Sequence, residues 1–265
     1  MSRFVLVHGA WHGAWCWQRV APLLVARGHR VVTPDLTGLG ARADLATPAT
    51  GLRRHVDDVV AVLDGLAGPA GEAGADKLAA PNGEAVGAVV PTGDDPVDHV
   101  VLVGHSYAGL VVHQAADRRP DLVDRLVLLD AWLAPDGGSL FDQAPDWFVA
   151  WARDSATAAG DGWRIPPPPA ATVGVDDPTD AAWLAARMVA QPLATFADPT
   201  RLTGAVGRVA TSAVVTRPGN GIDFAAMAGA QGLPVHELTS SHDSMVTDPD
   251  ALAETLLRAA GAPVP

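Results

Sequence analysis

Cysteine is nearly absent from this chain, since Cys16 is the only one among 265 residues. A disulfide framework is therefore excluded. No spacing of His, Cys and Glu resembles a metal site, and we expect neither a metal nor another cofactor. Long apolar runs are also missing, because the longest are only as long as a β-strand. No segment is therefore predicted to span a membrane.

Basic residues are scarce as well. The chain has 18 Lys and Arg against 30 Asp and Glu, which gives a net charge of −12 with neutral histidines. This excess of negative charge disfavours nucleic acid and anionic membranes as partners. We expect a neutral small molecule as the substrate, and a homodimer stays open as the assembly.

The N-terminal residues Met1–Arg3 lead directly into an apolar strand, without the features of a cleavable signal. Together with the lone cysteine, this start predicts a cytoplasmic protein. Hydrophobic residues at 48% and charged residues at 18% are typical of a soluble globular protein. The length suffices for one domain with an inserted lid.

Strand-like and helix-like patterns alternate along the chain, which predicts an α/β fold with a mostly or wholly parallel sheet flanked by helices. The predicted strands lie near residues 4–8, 30–34, 99–103, 125–130, 209–216 and 233–238, and the predicted helices near residues 15–27, 51–66, 107–119 and 249–260.

Two segments interrupt this alternation. Residues 67–96 are rich in Ala, Gly and Pro and contain no aromatic residue. They predict a mobile surface insertion, with a partner-docking arm as the alternative. Residues 131–206 hold most of the tryptophans and predict a helical lid inserted before the last two strands. The core then consists of residues 1–130 and 207–265.

The most informative stretch is Val100-Val-Leu-Val-Gly-His-Ser-Tyr-Ala-Gly109, an apolar strand followed by a tight turn and a helical pattern. A serine at the tip of such a turn presents its Oγ above the sheet, in a strained backbone that only small neighbours tolerate. Gly104 and Ala108 are the small neighbours here. We therefore interpret Ser106 as a nucleophile.

A serine hydroxyl needs a base to remove its proton. Of the nine histidines, His242 is best placed, because it lies in a small polar loop between the last predicted strand and the closing helix. Enzymes with this type of serine turn carry their base there. His236 lies within the strand pattern and is interpreted as structural. His8, His12 and His105 lie on turns that shape the site.

Two aspartates are candidates for the acid that orients His242 and stabilises its charged form. Asp130 ends an apolar strand, at the edge where an open α/β sheet places its chemistry, and an unpaired charge there would be costly. Asp223 follows the next strand only after an intervening loop. We favour Asp130 and keep Asp223 as the alternative.

The negative charge that develops on a substrate oxygen calls for two backbone N–H donors, an oxyanion hole. Tyr107, directly after the serine, is expected to supply one. The loop after the first strand turns sharply at Gly9 and is expected to supply the other, from Ala10 or from Trp11.

Four stretches carry a family resemblance: His8-Gly-Ala-Trp-His-Gly-Ala-Trp-Cys-Trp17, Thr33-Pro-Asp-Leu-Thr-Gly-Leu-Gly40, Gly104-His-Ser-Tyr-Ala-Gly109 and Leu129-Asp-Ala-Trp-Leu-Ala-Pro-Asp136. They resemble the α/β-hydrolase superfamily, and within it small bacterial esterase-like proteins related to salicylate-type methylesterases and hydroxynitrile lyases. The resemblance covers nearly the whole chain and implies a catalytic triad with Ser106 and His242.

Relatives differ in where they carry the acid. Some place it soon after the penultimate strand, where this chain has Pro218 and Gly219. Others, such as haloalkane dehalogenases, place it at the end of the strand before the lid, which matches Asp130. Similar hydroxynitrile lyases carry a threonine and a lysine where this chain has Gly9 and Asp243. That difference argues against cyanohydrin cleavage, because no cation remains to stabilise the departing cyanide.

Aromatic residues of the lid segment are candidates for the substrate pocket. Three of them, Trp147, Phe148 and Trp151, lie at helical spacing and predict an apolar face, which packs the lid onto the core, lines a pocket above Ser106, or does both. The residues expected to line that pocket are Trp11, Trp132, Trp147 and Trp151.

These features together predict a serine hydrolase that cleaves small, neutral, hydrophobic carboxylic esters through an acyl-enzyme, with lactones and thioesters in the same range. One alternative is a tailoring enzyme of a metabolic pathway that uses the same triad for cyclisation, elimination or C–C cleavage. A second alternative is a weakly active member of the fold that binds a ligand.

Overall fold

A computed structural model describes residues 1–67, 88–89, 99–219 and 221–261. Its strands are β1 (Ser2–Val7), β2 (Arg30–Val32), β3 (Ala88–Val89), β4 (His99–His105), β5 (Arg125–Leu129), β6 (Arg164–Ile165), β7 (Gln191–Pro192), β8 (Ala210–Arg217) and β9 (Val235–Thr239). Its α-helices are α1 (Ala21–Ala26), α2 (Leu52–Ala67), α3 (Ala108–Arg118), α4 (Leu140–Gln143), α5 (Asp146–Ala159), α6 (Pro178–Ala185), α7 (Ala194–Ala197), α8 (Phe224–Ala230), α9 (Ser244–Thr247) and α10 (Pro249–Ala259).

The central sheet has the strand order β3-β2-β1-β4-β5-β8-β9. Six strands of this sheet are parallel to one another: β2, β1, β4, β5, β8 and β9. The seventh, the short β3, pairs antiparallel with β2. The predicted mostly parallel sheet is therefore confirmed. Residues 88–89 of the segment expected to be a mobile insertion form β3, and residues 68–87 and 90–98 lie outside the described residues.

The sheet is buried on both faces. In β1 the side chains alternate, so that Val5 and Val7 join one apolar cluster with α2 and α3. Phe4 and Leu6 join a second cluster on the other face, with α1 and α10. Because both faces are covered, strands of such a sheet are apolar at nearly every position, and this is the pattern by which the sequence predicted them.

One predicted helix is divided. The stretch expected to be helical over residues 15–27 consists of a 3-10 helix, Ala14–Trp17, and the separate helix α1. Pro22 lies in the first turn of α1, where its missing N–H costs no helical hydrogen bond, whereas inside one continuous helix it would break the ladder. Helices α2, α3 and α10 lie within a few residues of their predicted bounds.

The chain between β5 and β8 leaves the carboxyl edge of the sheet and forms α4 to α7 and the antiparallel pair β6–β7. Helix α5 is the longest of these elements and carries Trp147 and Trp151. A capping box between Ser139 and Asp142 starts α4. Among the helices of the described ranges, none is both long and apolar enough to cross a membrane.

Candidate active site

Ser106 lies at the turn between β4 and α3, with a φ of +54°. This left-handed conformation is strained for a residue with a side chain. Backbone hydrogen bonds hold the turn, because Ser106 N donates to the Leu129 carbonyl at 3.0 Å and the Ser106 carbonyl accepts from Trp132 N at 3.0 Å. The backbone conformation is that expected of a nucleophile turn.

Glycine is required at two positions around this turn. A Cβ on Gly104 would lie 2.4 Å from Cγ2 of Val112, inside α3. A Cβ on Gly9 would lie 3.1 Å from the Cβ of Ser106 and 2.9 Å from Nδ1 of His105. The absence of side chains therefore lets both the helix and the loop after β1 approach Ser106 closely.

The structure brings His242 and Asp130 together. His242 lies in the loop after β9, and its Nδ1 is 3.0 Å from Oδ2 of Asp130, which directly follows β5. The other oxygen of Asp130 accepts the backbone N–H of Thr216 at 2.8 Å, and the Thr216 hydroxyl donates to Oδ2. The phenyl ring of Phe224 stacks on the imidazole with centroids 5.5 Å apart and an interplanar angle of 8°. His242 is thus held on its edge and on its face.

Burial raises the pKa of the Asp130 carboxyl, but the hydrogen bond and charge of His242 and the two donors of Thr216 outweigh burial. The net effect holds the pKa of Asp130 below its ordinary value. The carboxyl is therefore ionised at neutral pH and accepts a hydrogen bond from the Nδ1–H group of His242. This bond leaves Nε2 of the neutral ring without a proton, as a general base requires.

Asp223, the alternative acid, has a different task. Its Oδ1 accepts the backbone N–H of Ala226 at 2.9 Å, and so it caps the N-terminus of α8. Among the described residues, the carboxylate partner of His242 is Asp130.

Of the three backbone amides considered for the oxyanion hole, those of Ala10 and Tyr107 differ from that of Trp11 in their hydrogen bonding. Ala10 and Tyr107 line the same cavity as Ser106 and His242. Neither of their backbone N–H groups has an acceptor among the described residues. The N–H of Trp11 instead donates to Oε1 of Gln191 at 3.1 Å, which favours Ala10 over Trp11 as the second donor.

Sequence reasoning placed His8 near the site without assigning it a task. Its Nδ1 donates to the Gly9 carbonyl at 2.8 Å, while its Nε2 accepts the N–H of Leu36 at 3.2 Å. The Gly9 carbonyl and the Ala10 N–H belong to one peptide group and point in opposite directions. His8 therefore orients the Ala10 donor. Burial lowers the pKa of His8 to about 4, which keeps the ring neutral for this role.

One group of side chains has the proximity needed for a metal ion within the described ranges: His105, His242 and Asp243. Protein partners already occupy much of this group. Nε2 of His105 donates to the His242 carbonyl at 3.1 Å, and Oδ2 of Asp243 accepts from His12 at 2.9 Å. The donor set is better explained as a hydrogen-bonded network behind the site.

A cavity of about 270 Å³ lies over Ser106. Four of its aromatic walls, Trp11, Trp132, Trp147 and Trp151, are the side chains expected from the sequence. Phe148 and Phe196 of the lid segment also line the cavity, as does Phe224, which the sequence did not single out. Trp147 is 58% exposed and lies at the rim, whereas Trp151 contacts Trp11 edge to face at 5.9 Å.

A sequence profile described as "Alpha/beta hydrolase family" matches residues 4–255. The chain therefore belongs to the alpha/beta hydrolase family. An extracellular alpha/beta-hydrolase from a Paenibacillus species shares this fold, with a TM-score of 0.77 and 21% identity over 98% of this chain and 99% of that chain.

Proteins of known activity that are similar in sequence include esterases. The chain is 32% identical to a carbendazim hydrolyzing esterase of Nocardioides sp., over 97% of this chain and 98% of that protein. Methylesterase 8 of Arabidopsis thaliana is 34% identical over 51% of this chain and 39% of its own length. The prediction of an esterase-like α/β-hydrolase is confirmed.

Proposed function

We propose that the protein cleaves small, neutral, hydrophobic carboxylic esters, with Ser106 as nucleophile, His242 as general base and Asp130 as the acid that orients it. The observation that carries this proposal is the bond of 3.0 Å between Asp130 and His242, beside a cavity that His242 shares with a strained serine. A serine nucleophile needs such a base, oriented by such an acid, to remove its proton.

In this mechanism His242 accepts the Ser106 proton as Oγ attacks the ester carbonyl. The resulting imidazolium is stabilised by the Asp130 carboxylate, and the backbone N–H groups of Ala10 and Tyr107 donate to the oxyanion. His242 returns the proton to the leaving alcohol, and an acyl-enzyme forms. A water molecule then attacks the acyl carbonyl while His242 takes its proton. The bond from the acyl carbon to Oγ breaks, His242 returns the proton to Ser106, and the acid leaves.

The lining of the cavity supports an uncharged and partly aromatic substrate. No Lys, Arg, Asp or Glu contributes to its walls among the described residues, so an ionic group on the ligand would lose hydration without a partner. The volume of about 270 Å³ suits a small ester rather than a polymer. Carbendazim, named for the Nocardioides relative, belongs among the compounds to test.

We assign residues 131–206 the part of a lid, and the described residues within 1–130 and 207–265 that of the core. The lid segment contributes the aromatic side chains Trp132, Trp147, Phe148, Trp151 and Phe196 to the cavity wall. Such a cover would limit the access of bulk water to the acyl-enzyme. The cytoplasmic location and the homodimer stay predictions.

The test combines covalent labelling with a substrate panel. Purified protein is treated with a fluorophosphonate, the modified peptide is mapped, and turnover is measured on 4-nitrophenyl esters of increasing chain length and on carbendazim. We expect label on Ser106 and turnover of short hydrophobic esters, with Ser106→Ala silent in both assays. Label on another serine would overturn the proposal. Labelling of Ser106 without ester turnover would favour the tailoring enzyme or the ligand-binding protein instead.

A further inference from the structure

His12 makes two hydrogen bonds that link separate parts of the site. Its Nδ1 lies 2.6 Å from the carbonyl oxygen of Ala10, and its Nε2 lies 2.9 Å from Oδ2 of Asp243. Both partners are acceptors. Only a doubly protonated ring can donate to both, so the geometry indicates an imidazolium paired with a carboxylate.

The surroundings agree with a charged pair. His12 is 2% exposed and Asp243 is fully buried. Burial lowers the pKa of His12, but the charge and hydrogen bond of Asp243 and the Ala10 carbonyl outweigh it and raise that pKa. Burial likewise raises the pKa of Asp243, while His12, followed by His105 and His242, brings it below its ordinary value.

The two hydrogen bonds of His12 reach the two loops that carry the proposed chemistry. Asp243 directly follows His242, and Ala10 carries one of the two amides of the oxyanion hole. The peptide group between Ala10 and Trp11 is held on both sides, because His12 donates to its carbonyl and its N–H donates to Gln191 at 3.1 Å. The N–H of Ala10 belongs to the preceding peptide group, which meets this one at the Cα of Ala10. A shift of the held group would therefore move the Ala10 N–H relative to the cavity.

A buried ion pair is weak as a source of stability, because the loss of hydration offsets much of the attraction between the charges. Its geometry, however, is strongly constrained, because both ring nitrogens of His12 donate to acceptors in fixed positions. A pair in this place is therefore suited to setting the separation of two loops.

We propose that His12 and Asp243 are positioning residues that fix the oxyanion loop relative to the His242 loop, so that the Ala10 amide and the imidazole meet the same reacting carbonyl. This inference rests on the proposed function. It assigns a task to Asp243 at the position where similar hydroxynitrile lyases carry lysine.

Two substitutions of His12 separate its two bonds. In His12→Asn the side-chain amide nitrogen lies near the former Nδ1, so the bond to the Ala10 carbonyl can persist while Asp243 loses its partner. In His12→Gln the amide nitrogen reaches the former Nε2, so the bond to Asp243 can persist while Ala10 is released. Asp243→Asn keeps an acceptor for His12 and removes the charge, and it is the variant to use if neither change at His12 folds.

The matched control is Asp180→Asn. Asp180 forms a partly buried ion pair with Arg19, with atoms 2.6 Å apart, and it contacts none of the proposed catalytic residues. The Asp180→Asn variant measures how the loss of an ion pair changes stability and activity when the reacting groups are unaffected.

The readouts are kcat and KM for 4-nitrophenyl acetate and the inhibition constant of phenylboronic acid, each per site titrated with a fluorophosphonate. Phenylboronic acid forms a tetrahedral adduct with a serine and so depends on the oxyanion hole, whereas KM reflects mainly ground-state binding. We expect each His12 variant to lower kcat about 10- to 100-fold and to weaken the binding of phenylboronic acid by a similar factor. KM should stay within about twofold of the wild-type value. Asp243→Asn should lower kcat and the affinity for phenylboronic acid by about tenfold, and Asp180→Asn should leave these two quantities unchanged.

The inference is overturned if the His12 variants, or Asp243→Asn in their place, keep kcat and phenylboronic acid affinity within about twofold of the wild type. It is also overturned if the losses match those of Asp180→Asn, since that result makes the pair a purely structural one. In either case the wild-type protein still labels at Ser106, and the proposed function stands. If the wild type itself neither labels nor turns over esters, the proposed function fails and this inference fails with it.

Discussion

Oδ2 of Asp130 lies 3.0 Å from Nδ1 of His242, although 112 residues separate them in the chain. Asp130→Asn should lower kcat by about 10⁴-fold while the fold is retained, because the amide favours the wrong tautomer of the imidazole. Steady-state kinetics on a 4-nitrophenyl ester measure the effect. Asp223→Asn is the matched control and should cost some stability through the cap of α8 but little activity. A larger loss of activity at Asp223 than at Asp130 would reverse the assignment.

Ser106→Ala should reduce turnover by a factor on the order of 10⁶ and abolish fluorophosphonate labelling, because triad members act as a unit. Circular dichroism and the melting temperature should stay close to those of the wild type. Replacement by alanine removes only the hydroxyl and leaves the strained turn in place. Residual labelling of the variant would show that another serine reacts.

Trp151→Ala should shift the preference among 4-nitrophenyl esters towards longer acyl chains, because it opens the wall of the cavity where Trp151 meets Trp11 at 5.9 Å. We expect the ratio of kcat/KM for the octanoate over the acetate to rise by about tenfold. Trp147→Ala should change the ratio less, since this side chain is 58% exposed at the rim.

Trp183→Ala is the matched control for both pocket variants. Trp183 packs edge to face on Trp15 with centroids 5.1 Å apart and does not line the cavity. If the chain-length ratio of the two pocket variants changes no more than that of Trp183→Ala, the aromatic residues only pack the segment onto the core.

Stability should fall as the pH decreases from about 6.5 to about 4. Burial lowers the pKa of His55 to about 4 and the pKa of His105 to about 3, as it does for His8. The unfolded chain, with histidine pKa values near 6.5, then binds more protons than the folded chain, so acid favours unfolding. Urea denaturation across this pH range measures the slope.

His55→Gln should make that slope shallower, because it removes one of the histidines that are neutral in the folded state. Trp183→Ala removes no titratable group and is the control, so it should leave the slope unchanged. An identical slope in His55→Gln and the wild type would contradict the prediction. His12 acts with the opposite sign: its raised pKa stabilises the fold fully below about pH 6.5, and the contribution is lost as the pH rises through its folded-state pKa.

The local sequence was sufficient to predict those structural elements that depend on residues close together in the chain. The apolar runs predicted the parallel strands, and the small residues around Ser106 predicted its turn, because strand burial and backbone strain depend on neighbours in the chain. The short helix α8 was not predicted, although Asp223 at its cap is a signal that could have revealed it. The carboxyl end of β5 was enough to favour Asp130 over Asp223.

The sequence by itself determined the fold class and the strained turn at Ser106, and it named the candidates for base and acid. Only the tertiary structure decided that the backbone N–H of Trp11 has a partner, since it donates to Gln191, 180 residues away. It alone paired His12 with Asp243 across 231 residues. The physical reason is that hydrogen-bond partners and burial depend on what the folded chain brings into contact, and no spacing in the sequence records those distances.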